Sequence, residues 1–384
     1  MLIYLDNSAT TKPYEQVIDK MMSGFENYGN PSSLHRMGLD AEKLMKASRL
    51  EIAKSLGSDE NEIVFTGSGT EADSLGILGA ANALKRRGNK IITTRIEHKA
   101  VLENCNFLEK SGFKVVYLDV DEYGLIDLDQ LESELDDKTI LVSVMLVNNE
   151  IGSIQPIRQV GKMKSKFEKI LFHTDAVQAY GKIQIEPRIC NLDMVSISGH
   201  KIHGPKGIGA LDVKKGVRLE PVILGGAQER GLRSGTENIP AIMGFAEAAK
   251  INFAELDARY IKIKRLKDYL INGIRSEIDH IKINGPIDGT SSPYILNISF
   301  LGTKAEVLLH MLEDNGIFVS TGSACTSRKN TDSHVLKAMG LKDKEIQGAL
   351  RFSFSEFNDE AELDFTIEKL AQAVKSMRKG FAKL

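Results

Sequence analysis

Short apolar runs recur along the chain, and between them apolar positions return every three to four residues. The first pattern marks strands, and the second marks helices with one apolar face. The runs lie at 62–65, 90–94, 114–118, 139–146, 170–174, 194–198 and 208–213. Several are rich in Val and Ile without polar alternation, as expected where both sheet faces are covered. Helical stretches at 71–87, 99–111 and 157–169 separate them. This alternation predicts an α/β chain with a mostly parallel central sheet flanked by helices. A long helical pattern then runs from 238 to 278 with a break near its middle. After it come strands at 294–299 and 350–354, a helix at 304–315 and a last amphipathic helix at 360–378. A domain boundary is placed inside this helical region, near residue 255, and the connection reads as a helix and not a loose linker because no Pro/Gly/Ser-rich spacer appears. That gives a large domain over 13–255 and a smaller α+β domain from 1–12 and 256–384.

The chain has 384 residues, which suggests two or three domains and a well-buried core. Lys and Arg number 50 against 52 Asp and Glu, so no basic field draws nucleic acid. No apolar stretch is long enough to span a membrane, and the N-terminal segment lacks the charge pattern of a signal peptide. The cysteines are Cys105, Cys190 and Cys325, an odd number and far apart. They form neither a disulfide framework nor a CxxC metal pair, so no metal site and a cytoplasmic location are expected.

Candidate chemistry lies after the apolar runs, because open α/β sheets bind ligands at the carboxyl ends of their strands. Thr66-Gly67-Ser68-Gly69-Thr70-Glu71 leads from a strand into a helix. Such a turn presents backbone N–H groups and a helix dipole to a phosphate, although a plain capped turn has the same residues. Asp175 ends another strand, where a charge needs a partner: a protonated ring nitrogen, or backbone N–H groups of the next turn. Lys201 lies in Gly199-His200-Lys201-Ile202-His203-Gly204-Pro205, among small turn-forming residues rather than on a solvated helix. A lysine so placed is a candidate Schiff-base former. His98 follows a strand end, and taken alone it also suits a structural helix start. Arg351 sits in a predicted strand, where a buried guanidinium wants a carboxylate. Cys325 lies in a small polar segment with Arg328 and Lys329 close behind, a setting that lowers a thiol pKa. Cys105 and Cys190 read as packing residues. A phosphate cup, an acidic ring partner and a Schiff-base lysine, in sequence order, are the groups a pyridoxal phosphate site needs.

These residues resemble a known family, the pyridoxal-phosphate-dependent cysteine desulfurases of the NifS/IscS type, within the class-V aminotransferases of fold type I. The resemblance rests on Tyr4-Leu5-Asp6-Asn7-Ser8-Ala9-Thr10-Thr11, Asn148-Asn149-Glu150-Ile151-Gly152 and His173-Thr174-Asp175-Ala176-Val177-Gln178. Arg233-Ser234-Gly235-Thr236-Glu237-Asn238, Gly322-Ser323-Ala324-Cys325-Thr326-Ser327 and Leu350-Arg351-Phe352-Ser353 extend it over almost the whole chain. It implies a sulfurtransferase that turns L-cysteine into L-alanine and leaves the sulfur on Cys325 as a persulfide. It implies that Lys201 binds the cofactor aldehyde, Asp175 pairs with the ring nitrogen, Gln178 bonds the phenolate oxygen and His98 stacks on the ring and moves protons. Gly69, Thr70, Ser198 and His200 would hold the phosphate, joined by Thr236 from the other subunit of a homodimer. Asn149 and Arg351 would hold the substrate. A sulfur acceptor, an iron-sulfur cluster scaffold or a tRNA-thiolation enzyme, would be the protein partner. The alternatives are a selenocysteine lyase or another enzyme on the same cofactor and fold, and a non-catalytic partner scaffold.

Overall fold

The computed structural model describes residues 2–167, 169–321 and 333–381. Its strands in chain order are β1 (Ile3–Tyr4), β2 (Ile63–Thr66), β3 (Lys90–Thr94), β4 (Lys114–Leu118), β5 (Thr139–Ser143) and β6 (Leu171–Asp175). They continue with β7 (Met194–Ser198), β8 (Gly209–Val213), β9 (Ile281–Asn284), β10 (Ile295–Phe300), β11 (Ile317–Phe318) and β12 (Ala349–Ser353). A seven-stranded sheet has the order β2-β8-β7-β6-β5-β3-β4. All its pairings are parallel except those of β8, which runs antiparallel to both neighbours. The mostly parallel α/β expectation therefore holds. Every residue of β2, β3, β5, β7 and β8 is buried, which explains why these segments read as apolar runs without alternation. Edge strand β4 is more exposed.

β2 is the other edge, and its outer backbone groups are satisfied by side chains. The Phe65 N–H donates to Glu229 Oε2 at 2.8 Å, and Arg49 Nη1 donates to Ile63 O at 2.7 Å. Arg49 and Glu229 also form a buried two-bond ion pair at 2.6 and 2.7 Å. A paired edge offers no template for another strand, and here it also fixes the turn that follows β2.

The predicted 139–146 strand ends in regular form at Ser143, yet the Leu146 N–H still donates to Asp175 O at 2.9 Å, so the chain stays laced to β6. The 157–169 helix is Ile157–Lys164, because its end tightens into shorter turns. The long helical region is two helices, Ile239–Ala254 and Leu256–Glu277, with non-helical backbone at Glu255. Helices Glu15–Glu26 and Arg36–Leu56 and the short strands β1, β9 and β11 were not foreseen. β10 pairs antiparallel with β9 and β12, and β1 pairs in parallel with β11. The N-terminal strand thereby carries Ser8 and Ala9 to the Lys201 turn, where Lys201 Nζ donates to Ala9 O at 2.7 Å and also to Ser8 O.

One polar cluster ties the segment after β12 to this turn. Glu356 accepts from the Tyr14 hydroxyl and lies 3.3 Å from His203 Nε2 and 3.4 Å from Arg259 Nε. The Tyr14 and His203 rings stack at 4.6 Å, and His203 takes a left-handed φ of 62°. Burial alone would raise the Glu356 carboxyl, but His203, Tyr14 and Arg259 outweigh it and hold it down to about 2. A carboxyl whose pKa falls on folding stabilises the fold above its unfolded value of 4.5 and loses that contribution as pH drops toward about 2. Glu356→Gln should therefore cost about 2–3 kcal/mol at neutral pH and flatten the loss of stability between these two values. Denaturant melts across acid pH measure this, and an unchanged acid slope would contradict it.

Candidate active site

The carboxyl ends of β2, β3, β6 and β7 open on one cavity of about 340 Å³. Gly69, Thr70, His98, Asn149, Asp175, Gln178, Ser198, His200, Lys201 and Arg351 all line it. Thr236 lies elsewhere, in a cleft with Phe25, Tyr28 and Pro31. Cys325 falls outside the described residues. Cys105 and Cys190 are buried packing residues, and burial pushes the Cys105 thiol up to about 12.

The turn after β2 is both a cap and a cup. Ser68 Oγ accepts from the Glu71 N–H at 3.1 Å, and Glu71 Oε2 accepts from the Gly67 N–H at 2.9 Å. Arg233 holds the other Glu71 oxygen at 2.7 Å. The N–H groups of Gly69 and Thr70, first in the helix Gly69–Leu84, have no intrahelical acceptor. A Cβ at Gly69 would lie 2.7 Å from Val177 Cγ2, so only glycine lets the turn approach the segment after β6 this closely.

Asp175 also plays two parts. Its Oδ1 accepts from the Val177 N–H at 2.9 Å, while the carboxylate lines the cavity. Burial pushes it up to about 6, and the Val177 N–H and the Lys201 charge restrain the rise. A cation placed against it would restore its ionised form. His98 caps the helix Lys99–Lys110, accepting at Nδ1 from the Ala100 N–H at 3.1 Å. Burial, Lys201, His334 and Lys99 push its pKa down to about 4, so the ring is neutral at pH 7 and carries its proton on Nε2. His200 is lowered to about 4 by burial and neighbouring lysines, and its Nδ1 meets Thr10 Oγ1 at 3.1 Å. Arg351, 2% exposed, donates to Asp6 Oδ1 and to Asn149 O, both at 2.8 Å.

Sequence reasoning missed Ser8, Asp73, Glu150 and His334, which line the same cavity. Asp73 is an acidic residue on an otherwise apolar helix face, a signal that was available. Burial, with Asp175 nearby, drives its pKa well above the carboxylate range. His334 follows the helix cap Ser333 and its Nε2 lies 2.9 Å from Glu97 O, a contact that no local pattern announces.

Among the described residues, Ser8 Oγ, Asp73 Oδ1, Ser198 Oγ and Arg351 Nε are buried polar atoms without a hydrogen-bond partner, and all four residues line this cavity. Buried polar atoms are rarely left unpaired, so the cavity is built for a polar ligand. The arrangement fits pyridoxal phosphate. Ser198 Oγ and the helix start suit an anion, Asp175 suits a cationic ring nitrogen, Gln178 offers an amide N–H, and Lys201 offers an amine. Among the described residues no cluster of His, Cys, Asp and Glu suits a metal, and no helix is long and apolar enough to cross a membrane.

Comparison with known proteins agrees with the geometry. The aminotransferase class-V family model matches residues 3–365. The chain is 44% identical over 378 residues to the cysteine desulfurase IscS of Clostridium botulinum, covering 98% of this chain and 95% of the relative. It is 43% identical to cysteine desulfurase IscS of Methanosarcina thermophila, covering 98% and 93%. A solved NifS-like protein superposes with a TM-score of 0.92 at 40% identity, covering 98% of this chain and all of that one. SspA, solved in complex with cysteine, superposes with a TM-score of 0.82 at 34% identity, covering 93% of this chain and 100% of SspA. Matched by sequence and by structure over 98% of its length, the chain belongs to the class-V aminotransferase family, in its NifS/IscS-type branch.

Proposed function

We propose that this protein is a pyridoxal 5'-phosphate-dependent cysteine desulfurase. It converts L-cysteine to L-alanine and transfers the sulfur to Cys325. The carrying observation is the cavity that gathers Lys201 and Asp175 with the unpaired buried atoms of Ser8, Asp73, Ser198 and Arg351. The near full-length match to cysteine desulfurases supports the same substrate, and a solved relative is in complex with cysteine.

When bound, the cofactor supplies a protonated ring as electron sink for cleavage at the substrate carbons. Asp175 keeps the ring nitrogen protonated. Gly69, Thr70, Ser198 and His200 hold the phosphate, and Gln178 donates to the phenolate oxygen. Arg351, already fixed by Asp6 and Asn149 O, offers its unpaired Nε to the substrate carboxylate, and Asn149 borders the same place. Lys201 would hold the cofactor covalently, and its amine would take the proton from the substrate Cα. His98, neutral with a proton on Nε2, moves protons at the substrate sulfur. The Cys325 thiolate attacks that sulfur. A new S–S bond forms, the substrate C–S bond breaks, and protonation at Cβ gives alanine. Cysteine and one thiol become alanine and one persulfide, so the step balances without an external oxidant.

Alanine release from L-cysteine, dependent on added cofactor, tests this reading. Alanine from selenocysteine alone, independent of Cys325, would favour a selenocysteine lyase, and a colourless inert protein would favour a non-catalytic scaffold. The persulfide then serves an acceptor protein, a cluster scaffold or a tRNA-thiolation enzyme, in the cytoplasm. The same reading divides the chain near Glu255: the seven-stranded sheet lies before it, and β9, β10 and β12 lie after it.

The working form is a homodimer in which Thr236 completes the partner's phosphate site. Phe25 and Tyr28, which line the Thr236 cleft, are 60% and 80% exposed, an apolar surface that a second copy would cover. Mixed dimers of Lys201→Ala and Thr236→Ala subunits hold one intact site each. They should regain activity that neither parent has, and confirmed heterodimers without it would contradict the shared site.

A further inference from the structure

A glutamine amide has a direction: its oxygen only accepts and its nitrogen only donates. Gln178 is held at both ends. Its Nε2 donates to Ser8 O at 2.9 Å, and its Oε1 accepts from Lys182 Nζ at 3.0 Å. Gln178 and Ser8 line the cavity, whereas Lys182 stands one layer behind it. Lys182 is 6% exposed, and no carboxylate among the described residues lies within ion-pair distance of it. The Tyr294 ring is 5.7 Å away. The charges it feels are Lys201 and Arg351, of its own sign, and Glu356. Burial, reinforced by those two cations, pushes its pKa down to about 7.

A buried cation without a carboxylate is costly, and an apolar side chain of similar length would fill the space without that cost. What lysine adds is a donor against Gln178 Oε1. In its charged form, which prevails below pH 7, the ammonium has three N–H bonds and no lone pair, so a flipped amide would set N–H against N–H. Ser8 O favours the same orientation from the opposite end. One Nε2 hydrogen is used by Ser8 O, and the second is left for a ligand.

We propose that Lys182 is a positioning residue that locks the Gln178 amide with its NH2 end toward the cavity, making Gln178 a one-way hydrogen-bond donor to the cofactor phenolate. This rests on the role given to Gln178 above. The test uses the full-length protein and two readouts besides turnover: the pH midpoint of the visible band of the Lys201-bound cofactor, and the affinity of the apoprotein for pyridoxal phosphate. A donor on the phenolate favours its ionised form, so losing the donor raises the midpoint. Gln178→Ala should raise it by about one pH unit and weaken cofactor binding roughly tenfold. Lys182→Met should move both readouts the same way by a smaller amount, and should add nothing in the Gln178→Ala background. Should Lys182→Met not fold, Lys182→Arg carries the test: it keeps a donor-only group at Oε1 and should hold the wild-type midpoint.

A midpoint that moves in Gln178→Ala but not in Lys182→Met overturns the lock and leaves the Gln178 assignment standing. Equal shifts by Lys182→Met in both backgrounds overturn it too, because Lys182 would then act as a nearby charge. A Lys182→Arg shift as large as that of Gln178→Ala also overturns it. An unmoved midpoint in Gln178→Ala removes the Gln178 assignment and the lock with it.

Discussion

Lys201→Ala protein should lose the visible chromophore and at least roughly 10³-fold in turnover. The amine has two tasks in the account, anchoring the cofactor and moving the Cα proton, and no neighbour in the cavity can take both. Lys99 and Lys182 are the nearby alternatives. Lys99 also lines the cavity but opens the helix that His98 caps, and Lys182 is engaged by Gln178 behind the cavity. The substitution should spare the fold, because Lys201 is only half-buried and its hydrogen bonds to Ser8 O and Ala9 O join one turn to the N-terminal segment. Borohydride reduction followed by peptide mass spectrometry gives the decisive reading. Wild-type protein should carry the reduced cofactor on the peptide holding residue 201, and the variant should carry none. Labelling of another lysine in wild-type protein would show that the anchor is misassigned.

Cys325→Ser should fold, bind cofactor and substrate, and then stall. The exchange alters a single atom, so stability changes little, by no more than about 0.5 kcal/mol. A serine hydroxyl is a poor nucleophile toward sulfur at neutral pH, so alanine release should fall by about two to three orders of magnitude. Cys105→Ser and Cys190→Ser should keep turnover where they stay folded, since both thiols are buried away from the cavity. Near-normal alanine release by Cys325→Ser would bring a lyase or transaminase to the front.

Much of this was legible in the sequence, and the physics says why. β3, β4 and β7 were read with their observed bounds: β3 and β7 are buried along their whole length, and β4, an exposed edge strand, is marked by its β-branched and aromatic run Val115-Val116-Tyr117. Gly69, Asp175, Ser198 and Lys201 were found because a parallel sheet puts strand ends together, so residues far apart in sequence share one place. Two-residue strands such as β1 and β11 left no periodicity to read. The competing local readings of Ser68, His98 and Asp175 also hold: each caps a turn or helix while its segment lines the cavity. What stayed hidden is what depends on tertiary partners. Asp6 on Arg351, Ser8 on Gln178 and His334 beside Glu97 are pairings between segments that no local spacing brings together.

The central claim is that the sulfur leaving cysteine goes to Cys325 while the carbon skeleton leaves as alanine. A single-turnover reaction of the cofactor-loaded protein with sulfur-labelled L-cysteine tests it most directly, with alanine quantified and the peptide carrying residue 325 weighed. The account predicts one alanine released for each labelled sulfur found on that peptide. Alanine formed with no sulfur on residue 325, or pyruvate in place of alanine, would contradict it.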